Sequence, residues 1–317
     1  MHMNQQLYKK FSIGISFYSM TSQEWIRILR QYKSYIHDVF FSPIEGIEYQ
    51  TRRNIYDYER QTKEFLEEEL ARVLDEAKSL GIYRKMVLNV PQLYEDTERL
   101  PSLYEKYKRI YDIEYVTTFY SCAKKIKEID NTQPIVCSYN QGIKTRDELE
   151  QILSTNIFCT IVLGTNFFRD IESFRLIHSY GQKTELLLNN GCMRNCTSFC
   201  RFPNRYCSQN FEANLSKTDI DHLYAECSMF PEELHNHLLK MNLIDYYKLS
   251  TRPIHYGSMD KMLSSYIEGD SYKYILERFN NYNLYGRLAH FHQYYSELNY
   301  DKILEIKDLI WQKIICQ

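Results

Sequence analysis

Short runs rich in β-branched and aromatic residues alternate with longer amphipathic stretches along most of this chain. The candidate strands are 11–17 (FSIGISF), 38–42 (DVFFS), 85–90 (KMVLNV), 113–117 (IEYVT), 135–139 (IVCSY), 159–164 (CTIVLG), 185–189 (ELLLN) and 246–250 (YYKLS). Between them, apolar residues at helical spacing mark 24–35, 59–80, 120–129, 145–153, 168–180 and 231–243 as helices. In 59–80 the inward stripe is expected to be Phe65, Leu66, Leu70, Val73 and Leu74, and Thr145 opens a capping box with Glu148. Strands separated by helices imply a parallel sheet, because a parallel neighbour can be reached only through a crossover. Eight such strands match an α/β fold of the (β/α)8 TIM-like barrel type, with the eighth helix drawn from 259–279. The competing open, doubly wound sheet usually carries a glycine-rich turn after its first strand, and YSMTSQEW at that point has no glycine.

After Arg252 the strand pattern stops, and the remainder is helical and aromatic-rich. The expected organisation is a barrel over 1–257 and a C-terminal helical cap over 258–317, packed on the barrel or serving as a surface for a partner protein. A net charge of −2 gives no reason to expect nucleic acid as a partner, and no run approaches the ~20 apolar residues that span a bilayer. The N-terminal segment lacks the long apolar region of a signal peptide, so the expected location is cytoplasmic.

Five of the nine cysteines fall in one loop-like segment: Cys192, Cys196, Cys200 and Cys207, then Cys227. In a reducing compartment such a cluster points to metal binding rather than to disulfides. The C-x3-C-x3-C-x6-C spacing fits poorly with the paired C-x2-C knuckles of structural zinc. It suits a [4Fe–4S] cluster better, because the irons occupy separate corners and accept more widely spaced ligands. Zinc is the alternative. Cys137 and Cys159 lie in apolar strands and are read as core residues. The spacing and the position of the segment after strand seven both depart from the radical S-adenosylmethionine pattern. His235 and His237 are two apart and point to different helix faces, which argues against a shared metal. No nucleophile elbow, His-Glu-x-x-His helix or phosphate loop is present.

ELLLNNGCMRNC, with a later Cys and then FPEELHNHLLKMNLIDYYKLSTRP, resembles the collagenase-like peptidase family (peptidase U-32). Glu185, Asn189, Gly191, Cys192 and Cys196 fall on its first block, while Asp245, Lys248 and Arg252 fall on its second. Two departures are that Asn190 stands where an acidic residue is usual, and that five thiols are available for four places. The resemblance implies a barrel with a four-cysteine [4Fe–4S] cluster held by Cys192, Cys196, Cys227 and either Cys207 or Cys200. It also implies one of two activities: peptide hydrolysis, or oxygen-independent hydroxylation of a small-molecule or peptide-derived substrate. A non-catalytic barrel subunit with a structural metal is a third reading. At the strand ends, where barrel sites gather, Arg252 and Lys248 are candidates for holding an anionic group, and Tyr139 and Asn166 for facing the substrate.

Overall fold

Eight parallel strands, joined in sequence order, close into a barrel in the computed structural model. The structure describes residues 10–17, 20–42, 62–88, 101–102, 105, 114–117, 120–138, 143, 145–164, 167, 170–188, 240–249 and 256–268. Among these, the order is β1 (Phe11–Gly14), α1 (Ser22–Tyr32), β2 (Ile36–Phe41), α2 (Lys63–Ser79), β3 (Tyr83–Leu88) and β4 (Glu114–Thr117). Then come α3 (Tyr120–Ile129), β5 (Ile135–Cys137), α4 (Arg146–Ser154), β6 (Thr160–Leu163), α5 (Ile171–Ser179), β7 (Lys183–Leu187), β8 (Tyr246–Leu249) and α6 (Tyr256–Glu268). Closure comes from β8 lying alongside β1, with Lys248 level with Ser12.

The strands whose burial is described are covered on both sides along most of their length, as parallel strands require. The outward residues Ile13, Val39, Phe41, Met86, Ile161, Leu163 and Leu249 share one core with the inner faces of the helices, including Trp25, Ile28 and Leu29 of α1. On α2 that face is Leu66, Leu70, Val73, Leu74 and Ala77. Phe65 departs from expectation and is 46% exposed. Its position in the first turn of α2 puts it beside the stripe set by Leu66 and Leu70, not on it. A second, smaller apolar group lines the barrel interior: Val136 and Val162, with Val87 against them.

Local signals set the helix ends. Thr145 forms the expected capping box with Glu148 at the start of α4, and Thr21 forms a second one with Glu24 at the start of α1. Gly81 and Gly181 adopt φ of 72° and 74° just past the ends of α2 and α5. That left-handed conformation is cheap only for glycine, and it turns the chain directly into β3 and β7. Helix α6 packs on α1, where Tyr32 Oη donates to Asp260 Oδ1 at 2.7 Å and Gln31 Nε2 donates to the same oxygen at 2.8 Å. Of the cap expected over 258–317, the part after Glu268 lies outside the described residues, as does most of the 231–243 helix. Among the described residues no helix is long and apolar enough to cross a membrane.

Candidate functional site

The barrel interior carries charge. Asp38 on β2, Lys85 on β3, Glu185 on β7 and Lys248 on β8 form a chain of ion pairs across the lumen. Lys85 Nζ lies 2.8 Å from Asp38 Oδ2 and donates to Glu185 Oε2 at 2.9 Å. The other oxygen of Glu185 accepts from Lys248 Nζ at 3.3 Å. On the far side, Ser12 Oγ of β1 donates to Asp38 Oδ1 at 2.5 Å. Strand periodicity produces this arrangement, because alternate residues face inward. Asp38, Lys85, Glu185 and Lys248 occupy such positions in otherwise apolar runs.

Exposure differs along the chain of pairs. The side chains of Asp38, Lys85 and Glu185 are 0–1% exposed, whereas that of Lys248 is 13% exposed. Lys248 lies level with Leu187, the last residue of β7, and its ammonium sits 4.1 Å from the Phe40 ring centre. It is therefore the member nearest the C-terminal mouth, the end at which barrel sites are built. At the opposite end His37 stacks on Tyr246 at 3.8 Å, and Lys183 Nζ donates to Tyr246 Oη at 3.0 Å.

Two buried carboxylates in one network are driven apart in pKa. Burial raises Asp38 to about 6 against the partial compensation of Lys85. Burial works the same way on Glu185, but the charges of Lys248 and Lys85 outweigh it and hold the carboxyl at about 2. Burial and the charge of Lys85 both lower Lys248, with Glu185 opposing. Burial also lowers His37 to about 4, helped by Lys85.

The sign of the pH dependence follows. Asp38 has a folded pKa above its ordinary 3.8, so its contribution to stability is complete below pH 4 and is lost as pH rises through about 6. His37 acts oppositely in the same window, since its pKa is depressed and its contribution disappears as pH falls through about 4. A difference measurement separates the two. Asp38→Asn is expected to gain stability relative to wild type as pH rises from 4 to 7, read from urea midpoints across that range. A difference that stays flat would mean that Asp38 is ionised throughout.

The residues proposed from sequence divide sharply. Lys248 is described and sits in the interior network. Tyr139, Asn166, Arg252, Cys192, Cys196, Cys200, Cys207 and Cys227 lie outside the described residues. Among the described residues no group of three or more His, Cys, Asp or Glu side chains is placed to hold a metal. Cys137 is fully buried on β5 and its thiol is pushed up to about 12 by that burial, as befits a core residue. Cys159 precedes β6 instead of lying within it; it is only partly buried, and its Sγ donates to the Ile135 carbonyl at 3.3 Å.

Asp38, Lys85 and Ser12 went unmarked in the sequence, although a signal was there. Strands covered on both faces read as continuous apolar runs, yet DVFFS, KMVLNV, ELLLN and YYKLS each contain one charged residue.

No family model matches the chain, and no curated protein matches it. Solved structures similar to it include a U32 peptidase, at 10% identity and a TM-score of 0.45, covering 76% of this chain and 92% of that one. A glycerophosphodiester phosphodiesterase from Parabacteroides distasonis aligns at 12% identity and 0.44, covering 82% and 99%. A GH10 endoxylanase from a sugarcane soil metagenome aligns at 9% and 0.45, covering 79% and 90%. Similarity at this level carries nothing about activity.

Proposed function

We propose that this chain is an iron–sulfur oxidoreductase of the collagenase-like peptidase type, working at the C-terminal mouth of its barrel on a small-molecule or peptide-derived substrate. The observation that carries the reading is the 3.3 Å pair between Glu185 and Lys248. The two residues come one from each of the sequence blocks on which the resemblance rests, and they meet inside the lumen on adjacent strands. The cysteine segment occupies the connection between those same two strands and follows the end of β7 that opens at the mouth.

The donor chemistry fits such a cluster. Cys192, Cys196 and Cys227, with Cys207 or Cys200 as the fourth, supply the thiolates that iron–sulfur centres require, and the described cysteines are not needed for the set. When bound, the cluster would supply one-electron transfer or an iron open to substrate. Arg252 would offset negative charge at the mouth with its planar fork of donors. Glu185 and Lys85 would fix the position of Lys248 beneath it.

Anaerobic purification tests the proposal. The expected protein is brown, absorbs broadly near ~400 nm and carries about four irons per chain. Cys192→Ser, Cys196→Ser and Cys227→Ser are each expected to lose the iron, whereas Cys137→Ser and Cys159→Ser keep it. A colourless protein holding one zinc would replace the cluster with a structural metal.

A further inference from the structure

Lys85 and Lys248 place their ammonium groups on opposite oxygens of a single carboxylate, that of Glu185. They do not share it equally. Lys85 touches two carboxylates, at 2.8 and 2.9 Å, and its side chain is 1% exposed. Among the described residues Lys248 touches one, at 3.3 Å, and it also lies 4.1 Å from the Phe40 ring centre. When the network gives up a proton from an ammonium, the less well held of the two releases it, and solvent reaches that one. A lysine beside a second cation and partly exposed on the mouth side of a barrel has surroundings that favour a neutral amine within reach of a substrate, against the Phe40 ring face, which favours the ammonium.

We propose that Lys248 is a reactive amine that captures small aldehydes or ketones as a reversible imine at the C-terminal mouth of the barrel. The step is balanced without an outside oxidant or reductant. Lys248 releases one proton to water, and its lone pair attacks the carbonyl carbon. A C–N bond forms as the C–O π bond opens to a carbinolamine. The hydroxyl then leaves as water, taking up a proton, and a C=N bond remains. Burial and the Lys85 charge lower the pKa of Lys248, which enlarges the share of neutral amine at a given pH. The inference goes beyond the iron–sulfur reading and does not depend on it.

Acetaldehyde with cyanoborohydride, applied to the folded full-length chain at pH 6, provides the test, with alkylated lysines located by peptide mapping. Lys248 is expected to be alkylated on the order of tenfold faster than exposed lysines such as Lys33 and Lys78. The advantage should vanish in urea, where the network is gone. Asp38→Asn removes a charge that favours the Lys248 ammonium, so it is expected to move the pH profile of Lys248 labelling downward. Labelling of Lys248 no faster than of Lys33, or a profile unmoved by Asp38→Asn, overturns the proposal. Iron content measured on the same preparation reports separately on the cluster.

Discussion

Lys85→Met is expected to destabilise the fold by about 3–5 kcal/mol, the typical cost of stripping one partner from a buried ion pair. The lysine stands between two carboxylates that are themselves 0% exposed. Glu185 would keep Lys248, but Asp38 would be left with only the Ser12 hydroxyl among the contacts described above. Two refinements separate this from simple loss of packing. The defect should shrink at acidic pH, because Asp38 can then take a proton and lose its charge. Adding Asp38→Asn should also recover part of the loss, so that the double variant costs less than the sum of the singles. Urea midpoints at pH 5 and pH 8 for the three variants decide the matter. Strict additivity would mean that Asp38 and Lys85 do not depend on one another.

Trp25→Ala is expected to cost a similar ~3–5 kcal/mol, by a different route. The indole is 1% exposed, within the core between α1 and the barrel. Its Nε1 also donates to the Ser16 carbonyl at 2.8 Å, in the stretch that leaves β1 at the mouth. Truncation therefore leaves a cavity and removes one tie on the exit of the first strand. Trp25→Phe keeps most of the volume and loses the donor, and should cost nearer ~1–2 kcal/mol. Thermal or urea unfolding of the two variants measures the split. Equal losses would show that the hydrogen bond, not the volume, dominates.

The architecture was legible in the sequence because every strand is a short apolar run flanked by a helix with a clear inward stripe. Strand boundaries were less so. β3 and β7 begin two residues before the apolar runs, at Tyr83-Arg84 and Lys183-Thr184. The exposed first residues of those strands look like loop to a reading based on hydrophobicity. The interior network was hidden for another reason. One lysine in KMVLNV looks like an edge residue until Glu185, a hundred positions away, is seen to face it. Lys248 was legible as a site residue from its match to a known pattern, whereas its partner Glu185 lies 63 positions earlier on the neighbouring strand.

The position of the cysteine segment also dictates an order of events during synthesis. β7 and β8 are neighbours in the closed barrel, yet residues 188–245 separate them in the chain. At 5–20 residues per second, a ribosome needs on the order of 3–12 s to cover that gap. Through that interval β7 and β1 present unpaired edges, the kind that recruit foreign strands. Glu185 has already emerged, as has Lys85, but Lys248 has not. Lys248, the last member of the network to be made, completes the charge balance and lies on the strand that seals the barrel, so the nascent chain would depend most on chaperone protection just as its thiols emerge.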